Sequence, residues 1–261
     1  MGLYYLEKAL KRGFVIFCSL GILWGVSKLL KNSKEDKASE EIQAEASSAA
    51  SPKPEETTTA STTAVEETKS EERFDVPKII EFNNMDSNVV AWISIPSLNI
   101  DYPVMQGEDN EFYLNHSADG SKNHNGSIFM ASENDSSYND RNTMIFGHNM
   151  KNGSMFGKLK KTTVSDEPID IFIYTRDGQV RKYQVFSSYV TTEKSDMYRL
   201  SDTQSQAKAY VAEAVKNNQN KAFTAPENTD APVLTLATCA GVAGQGGRLL
   251  VHASLVGKEN I

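Results

Sequence analysis

The pattern of hydrophobic and polar positions divides the chain into three regions. An uncharged, mostly apolar run extends from Gly13 to Ser27. Residues 32–73 contain no aromatic residue and consist mainly of Ser, Thr, Ala, Glu and Pro, whereas aromatic and β-branched residues return at Phe74. A tract that is polar throughout cannot bury enough apolar surface to offset its chain entropy. The pattern therefore predicts a disordered linker over 32–73 and a folded domain over 74–261.

The first apolar run predicts a membrane anchor. A spanning helix needs roughly 20 apolar residues, and Leu29 and Leu30 extend the run past Lys28, whose side chain can reach the interface. The alternative is a cleaved secretory signal, but no small-x-small cleavage site follows the run cleanly. Basic residues lie on both sides, so their charge does not decide the orientation. We expect residues 1–31 to form an uncleaved anchor with a short cytoplasmic tail.

Short strands dominate the pattern of the folded region. "VVAWISIPSLNIDYPVMQG" predicts strands broken at Pro96 and Pro103, and "GSIFMAS", "NTMIFGHN", "APVLTLATC" and "GRLLVHASLV" predict further strands. "PIDIFIYTRDGQVRKYQVFSSYVTT" predicts a hairpin that turns at Asp177 and Gly178. Ahead of the strands, "VPKIIEFNNM" predicts a short helix.

One clear helix interrupts the strands, and we place it over residues 203–218. Its apolar residues recur at helical spacing, and Ser201 with Gln204 three residues later forms a plausible capping box. The predicted apolar face consists of Ala207, Tyr210, Val211, Ala214 and Val215. Many short strands with one inserted helix predict a mainly β fold, either a barrel or a sandwich.

Charge and cysteine usage narrow the possible functions. The net charge is −7 overall, and it divides into +4 for residues 1–31, −6 for 32–73 and −5 for 74–261. A mildly acidic domain without a basic stripe argues against a nucleic-acid partner. The two cysteines are Cys18, inside the apolar run, and Cys239. The folded domain therefore has no internal disulfide, and Cys239 is a free thiol.

Cys239 is the first candidate for chemistry, because it ends a predicted strand and precedes the small-residue loop "AGVAGQGG". Catalytic groups often lie on loops that rigid strands position, yet free cysteines are also common as small buried residues. The two interpretations are evenly balanced without a partner base. Arg248, nine residues later, would face Cys239 across two adjacent strands, where it could favour the thiolate and hold a developing oxyanion. The alternative for Arg248 is a surface ion pair.

Four histidines compete for the role of general base. His148 lies at the end of an apolar strand, just after a glycine. His252 lies in mid-strand, two alternations from Arg248 and on the same face, where a hydrogen-bonded structural role is more common. His116 and His124 fall in polar loops and are expected to face solvent. Position favours His148, and His252 stays open.

Several stretches together resemble the sortases. "TLATC" followed by "GR" resembles the family's cysteine and arginine strands, and "NTMIFGHNMKNGSMFGKL" is similar to the class B branch. "WISIPSLNIDYPVMQGEDNEFYLNHSADGSKNHNGSIFM" also resembles class B, so the similarity covers essentially residues 74–256. One departure is Ala237, where class B members often have serine, and we expect it to affect substrate choice.

The resemblance implies a closed β-barrel of about eight strands, with N-terminal helices and one inserted helix before the strand that leads to the cysteine. It implies Cys239 as nucleophile, His148 as acid and base, and Arg248 as the residue that stabilises substrate and oxyanion, with His252 structural. Three further positions align with residues that line the substrate groove: Asn110, Leu114 and Thr238.

The implied activity is that of a membrane-anchored cysteine transpeptidase. Such an enzyme cleaves a C-terminal sorting motif of a secreted protein and joins the thioacyl product to an amine of the peptidoglycan crossbridge or stem peptide. It works on the extracellular side of the cell membrane and needs no cofactor and no metal. The alternatives are a pilin-polymerising sortase, a plain cysteine peptidase and a non-catalytic tethered binding module.

Overall fold

The computed structural model of the protein describes residues 88–201, 203–239 and 246–260, and for Cys239 it describes the backbone. The predicted anchor over 1–31, the predicted linker over 32–73 and the predicted N-terminal helices lie outside these residues. Within the described ranges, no helix is long and apolar enough to cross a membrane.

Eight strands form a closed barrel, as the family resemblance implied. Each strand pairs with a neighbour on both sides, in the order β1-β2-β3-β4-β7-β8-β6-β5, and β5 closes the barrel on β1. Most pairs are antiparallel, whereas β2 with β3 and β4 with β7 are parallel. The strands are β1 (Val89–Ile95), β2 (Ile100–Met105), β3 (Ile128–Met130), β4 (Asn142–Phe146), β5 (Asp170–Thr175), β6 (Gln179–Thr192), β7 (Val233–Cys239) and β8 (Gly247–Asn260).

The two prolines in the first strand pair behave differently. Pro96 ends β1 and opens a 3-10 turn over Pro96–Leu98, as predicted. Pro103 was wrongly predicted to break a strand, because it lies inside β2 opposite Trp92. β2 gains β3 as its second neighbour only from Val104 onward. Only one flank of the strand is therefore paired at Pro103, and a proline is tolerated where its missing N–H is not required.

The predicted hairpin between β5 and β6 is confirmed. Its turn contains Asp177 and Gly178, and Gly178 adopts a φ of 76° that favours glycine. β6 continues for 14 residues and pairs along most of its length with β8. The two strands stay paired as far as the edge of the barrel where β8 begins.

The inserted helix α1 spans Gln204–Asn217, close to the predicted range. The predicted cap was wrong, because Thr203 and Gln206 form the capping box. The side chain of each residue accepts a hydrogen bond from the backbone N–H of the other. Gln204 contacts Arg141 and Asp230 instead. The predicted apolar face packs on the barrel, with Tyr210 and Ala214 fully buried and Val215 at its margin.

Alternation along the strands divides the buried residues between the inside and the outside of the barrel. Ile93, Ile95, Leu234, Leu236 and Val251 belong to one apolar cluster that fills the barrel. The apolar side chains at the intervening positions of β4, β7 and β8 belong to a second cluster, which α1 covers from outside. The strands beneath α1 are therefore buried on both faces, and this explains the near-continuous apolar run before Cys239.

A polar network lies between α1 and the barrel. The Thr235 hydroxyl donates to Asn142 Oδ1 at 2.9 Å, and it lies 3.1 Å from His252 Nδ1 and 2.9 Å from the Tyr210 hydroxyl. His252 Nε2 lies 3.1 Å from the Tyr189 hydroxyl. These side chains come from β4, β7, β8, α1 and β6, so one network links the strands that lead to the candidate site.

His252 occupies this network as a neutral ring. The imidazole is fully buried, and burial lowers its pKa to about 3. Both ring nitrogens meet hydroxyl groups, which satisfy an uncharged imidazole. The structural role expected for His252 follows from these contacts.

We predict that acid destabilises the protein through His252. Because the folded pKa of about 3 lies below the unfolded value of about 6.5, the unfolded state binds the extra proton. The stabilisation is complete above pH 6.5 and is lost as the pH falls toward 3, at about 1.4 kcal/mol per pH unit. Between pH 6 and pH 4, the free energy of unfolding of wild type should fall by about 3 kcal/mol more than that of His252→Gln. Equal slopes, or a ring that titrates above pH 5 in the folded protein by NMR, would contradict this assignment.

Candidate active site

The ends of three adjacent strands place the predicted catalytic residues along one edge of the barrel. In the parallel pair of β4 and β7, Phe146 is level with Ala237, and the Gly147 N–H donates to the Ala237 carbonyl at 3.2 Å. His148 follows Phe146 by two residues, just as Cys239 follows Ala237 by two. In the antiparallel pair of β7 and β8, Cys239 is directly opposite Arg248. Neighbouring strands lie about 4.8 Å apart, so the backbones of Cys239 and Arg248 are about that far apart.

Arg248 lies on the outer face of β8, in line with His252, as the alternation predicted. Its side chain is almost fully buried, with a relative exposure of 3% for the residue. Nη1 donates to the Gly247 carbonyl at 3.0 Å, and Nη2 donates to Glu193 Oε2 at 3.2 Å. Arg248 is thus a buried cation with a carboxylate partner, which differs from the exposed surface pair considered as its alternative.

His148 is half-buried, and one hydrogen bond fixes its ring. Nε2 lies 2.7 Å from the Leu114 carbonyl, which can only accept, so Nε2 carries a proton and donates it. In the neutral ring, the basic nitrogen is therefore Nδ1. Burial lowers the pKa of His148; the bond to Leu114 opposes this change, and the charge of His124 adds to it. These effects favour a neutral ring at pH 7 with Nδ1 able to take up a proton.

A tight turn after β4 holds His148 at the barrel edge. The Phe156 N–H donates to the His148 carbonyl at 3.0 Å, and Asn149 pairs with Met155 in an isolated bridge. The Phe156 ring packs so closely on Gly147 that a Cβ there would lie 2.7 Å from the ring. Glycine is therefore required immediately before His148, because any side chain would displace either Phe156 or the backbone.

The other predicted histidines lie away from this arrangement. His124 is exposed, as expected. His116 was expected merely to face solvent, but its ring stacks on Phe112 at 4.0 Å between centroids and its Nδ1 donates to the Phe112 carbonyl at 2.7 Å. The reason is the 3-10 turn over Phe112–Leu114, which brings residue 116 back onto residue 112.

The three predicted substrate-groove residues have different surroundings. Asn110 is buried, and its amide accepts from the Ser132 N–H at 2.7 Å and donates to Glu133 at 2.8 Å, so it anchors the loop after β3. Leu114 is half-buried and contributes the carbonyl that orients His148. Thr238 is buried on the face of β7 shared with Leu236, and its hydroxyl has no hydrogen-bond partner within the described residues. Their contact with substrate stays a prediction.

The contact of Glu193 with Arg248 was not predicted from the sequence. Glu193 follows β6 in the ordinary polar stretch "TTEKSD" and lies 55 residues from Arg248 along the chain. Only the pairing of β6 with β8 reveals that the two residues meet. Within the described part of the chain, no group of three or more His, Cys, Asp or Glu residues could hold a metal ion.

Comparison with known proteins identifies the class to which this arrangement belongs. Residues 93–256 match the sequence profile of the Sortase family, described as the sortase domain. The chain therefore belongs to the sortase family of cysteine transpeptidases.

The relatives narrow the family to class B. The chain is 30% identical over 183 residues to sortase B of Listeria monocytogenes, covering 68% of this chain and 74% of the relative. It is 31% identical over 125 residues to sortase B of Staphylococcus aureus, covering 47% and 51% of the two chains. The crystal structure of Clostridium perfringens sortase B superposes with a TM-score of 0.61 at 28% identity, covering 68% of this chain and 99% of that one. The protein is thus a class B sortase.

We predict that Gly147→Ala reduces activity by displacing His148. The added methyl group would meet the Phe156 ring at 2.7 Å, and a shift of about 1 Å at a catalytic group can cost up to about a hundredfold in rate. Gly257→Ala in β8 is the matched control, because a Cβ there meets nothing within 4 Å. Steady-state kcat/KM should fall at least about tenfold in Gly147→Ala and stay near wild type in Gly257→Ala. Equal activity in the two variants would show that Gly147 does not set the position of His148.

Proposed function

We propose that the protein is a membrane-anchored transpeptidase that cleaves a C-terminal sorting motif of secreted proteins and joins the product to a peptidoglycan amine. The observation that carries the proposal is the pairing of Cys239 with Arg248 at the ends of β7 and β8, next to the strand β4 that leads to His148. Membership of the sortase family supports transfer to an amine as the reaction. The apolar run over residues 13–27 and the polar tract after it support membrane tethering, and the substrates of the proposed reaction require the domain to lie outside the cell.

In the first half of the proposed reaction, the Nδ1 atom of neutral His148 takes the thiol proton of Cys239, and the resulting thiolate attacks a backbone carbonyl of the sorting motif. The forked guanidinium of Arg248 donates to the carbonyl oxygen as it becomes negative. His148, protonated at Nδ1, transfers that proton to the amine as the peptide bond breaks. The result is a thioester between the motif and Cys239, and the released peptide leaves as a neutral amine.

The second half of the reaction reverses the roles. An amine of the peptidoglycan crossbridge or stem peptide attacks the thioester carbonyl, and neutral His148 takes the proton from that amine at Nδ1. The Cys239 thiolate is released when the new amide forms. Burial lowers the pKa of His148, and this suits the step because the ring keeps a basic nitrogen available at neutral pH.

Ligation of a labelled peptide to an amine tests the proposal. Peptides that carry C-terminal sorting signals would be incubated with the protein and with either oligoglycine or a stem-peptide amine, and products would be identified by mass. We expect a ligated product with wild type and none with Cys239→Ala or His148→Ala, provided that both variants keep the wild-type melting temperature. Ligation that persists without Cys239 would refute the mechanism.

The same assay separates the alternatives. Hydrolysed peptide with every amine would indicate a cysteine peptidase. Product with a lysine of a pilin subunit, and none with wall amines, would indicate a pilin-polymerising enzyme. Absence of both hydrolysis and ligation across the peptide set would leave a binding module as the better account.

A further inference from the structure

The Glu193 carboxylate lies at the barrel edge beside Arg248, the residue predicted to stabilise the oxyanion. Glu193 lies one residue beyond β6, and its N–H donates to the Gly246 carbonyl at 3.1 Å. Its Oε2 accepts from Arg248 Nη2 at 3.2 Å. Glu193 is therefore held both by its backbone and by its side chain, and its position is tied to the start of β8.

The strand order separates Glu193 from the predicted nucleophile. β8 lies between β7 and β6, with Cys239 opposite Arg248 on one flank and Thr191 opposite Arg248 on the other. Glu193 follows Thr191 by two residues, so it approaches from the β6 flank. A guanidinium has five N–H donors, and the contacts with Gly247 and Glu193 use one on each terminal nitrogen. The remaining donors are the ones that could serve a substrate.

Burial makes this contact different from the other ion pairs that the described residues form. The Arg248 side chain is 4% exposed and that of Glu193 is 34% exposed. By contrast, the pair of Lys216 with Glu213 is 73% and 40% exposed. A guanidinium that is almost completely removed from water needs a charged or hydrogen-bonding partner to stay in place. An exposed pair on a helix surface has no such requirement.

We propose that Glu193 is a positioning residue, which acts through Arg248 by holding the guanidinium at the barrel edge from the flank opposite Cys239. The inference rests on the transpeptidase function proposed above. With Glu193 in place, one Arg248 N–H is committed to the carboxylate and the fork has a fixed orientation. Without it, the cation loses its charged partner and its orientation toward the reacting carbonyl.

The experiment compares Glu193→Ala, Glu193→Gln and Glu193→Asp in the ligation assay. We expect kcat/KM to fall about tenfold in Glu193→Ala, as for loss of one charge-assisted hydrogen bond, and less in Glu193→Gln, which keeps an acceptor of the same shape. Glu193→Asp keeps the charge and should recover part of the loss. Glu213→Gln is the matched control, since it removes the carboxylate of an exposed pair, and it should keep wild-type activity.

A double-mutant cycle separates positioning from a structural role. Arg248→Lys should itself be impaired, because a point charge does not reproduce the guanidinium fork. In that background, Glu193→Gln should cost little further activity if Glu193 acts through Arg248. The same proportional loss in both backgrounds, or full activity in Glu193→Ala, would overturn the proposal. A wild type that forms no ligated product would remove the proposed function together with this inference, whereas an active wild type with unaffected Glu193 variants would remove only the inference.

Discussion

The buried hydrogen-bond network around His252 is the constraint on which the site depends. Thr235, Asn142 and His252 each belong to a different strand: β7 ends at Cys239, β4 leads to His148, and β8 has Arg248 as its second residue. Because buried polar groups are costly when they lack a partner, these side chains accept few alternative arrangements. The network therefore fixes the register of β4, β7 and β8 a few residues before the site. Tyr210 of α1 joins it from outside, so the helix covers the same polar groups that it helps to satisfy.

Register at the strand ends then determines the electrostatics of the site. From β4 to β6, the barrel edge carries an imidazole, a cysteine, a guanidinium and a carboxylate, each delivered by a different strand end. A backbone carbonyl orients the His148 ring and fixes the position of its proton without adding a charge. Glu193 orients the Arg248 guanidinium and adds a negative charge. A negative group on the flank away from β7 therefore balances the buried cation.

Much of this architecture could be predicted from the sequence, because the signals for it are local. The Asp177 and Gly178 turn, the strands on either side of it and the apolar face of α1 each depend on residues close together in the chain. The errors came where tertiary contacts decide between local options. Pro103 stays in a strand because of where β3 begins, and Gln204 contacts Arg141 and Asp230 while Thr203 caps the helix. The Glu193 contact depends on β6 pairing with β8, and no pattern within one segment encodes it. Ala237 is buried in the apolar cluster beneath α1, so its effect on substrate choice stays a prediction.

The mechanism depends on the proposed role of Cys239 as the residue that carries the acyl group. Its most direct test is the mass of the protein after incubation with a labelled sorting-signal peptide and no amine acceptor, followed by peptide mapping of any adduct. We predict a mass increase equal to the N-terminal part of the cleaved peptide, which is located at Cys239 and is lost on treatment with hydroxylamine. An adduct on another residue, or peptide cleavage by a Cys239→Ala variant, would contradict it.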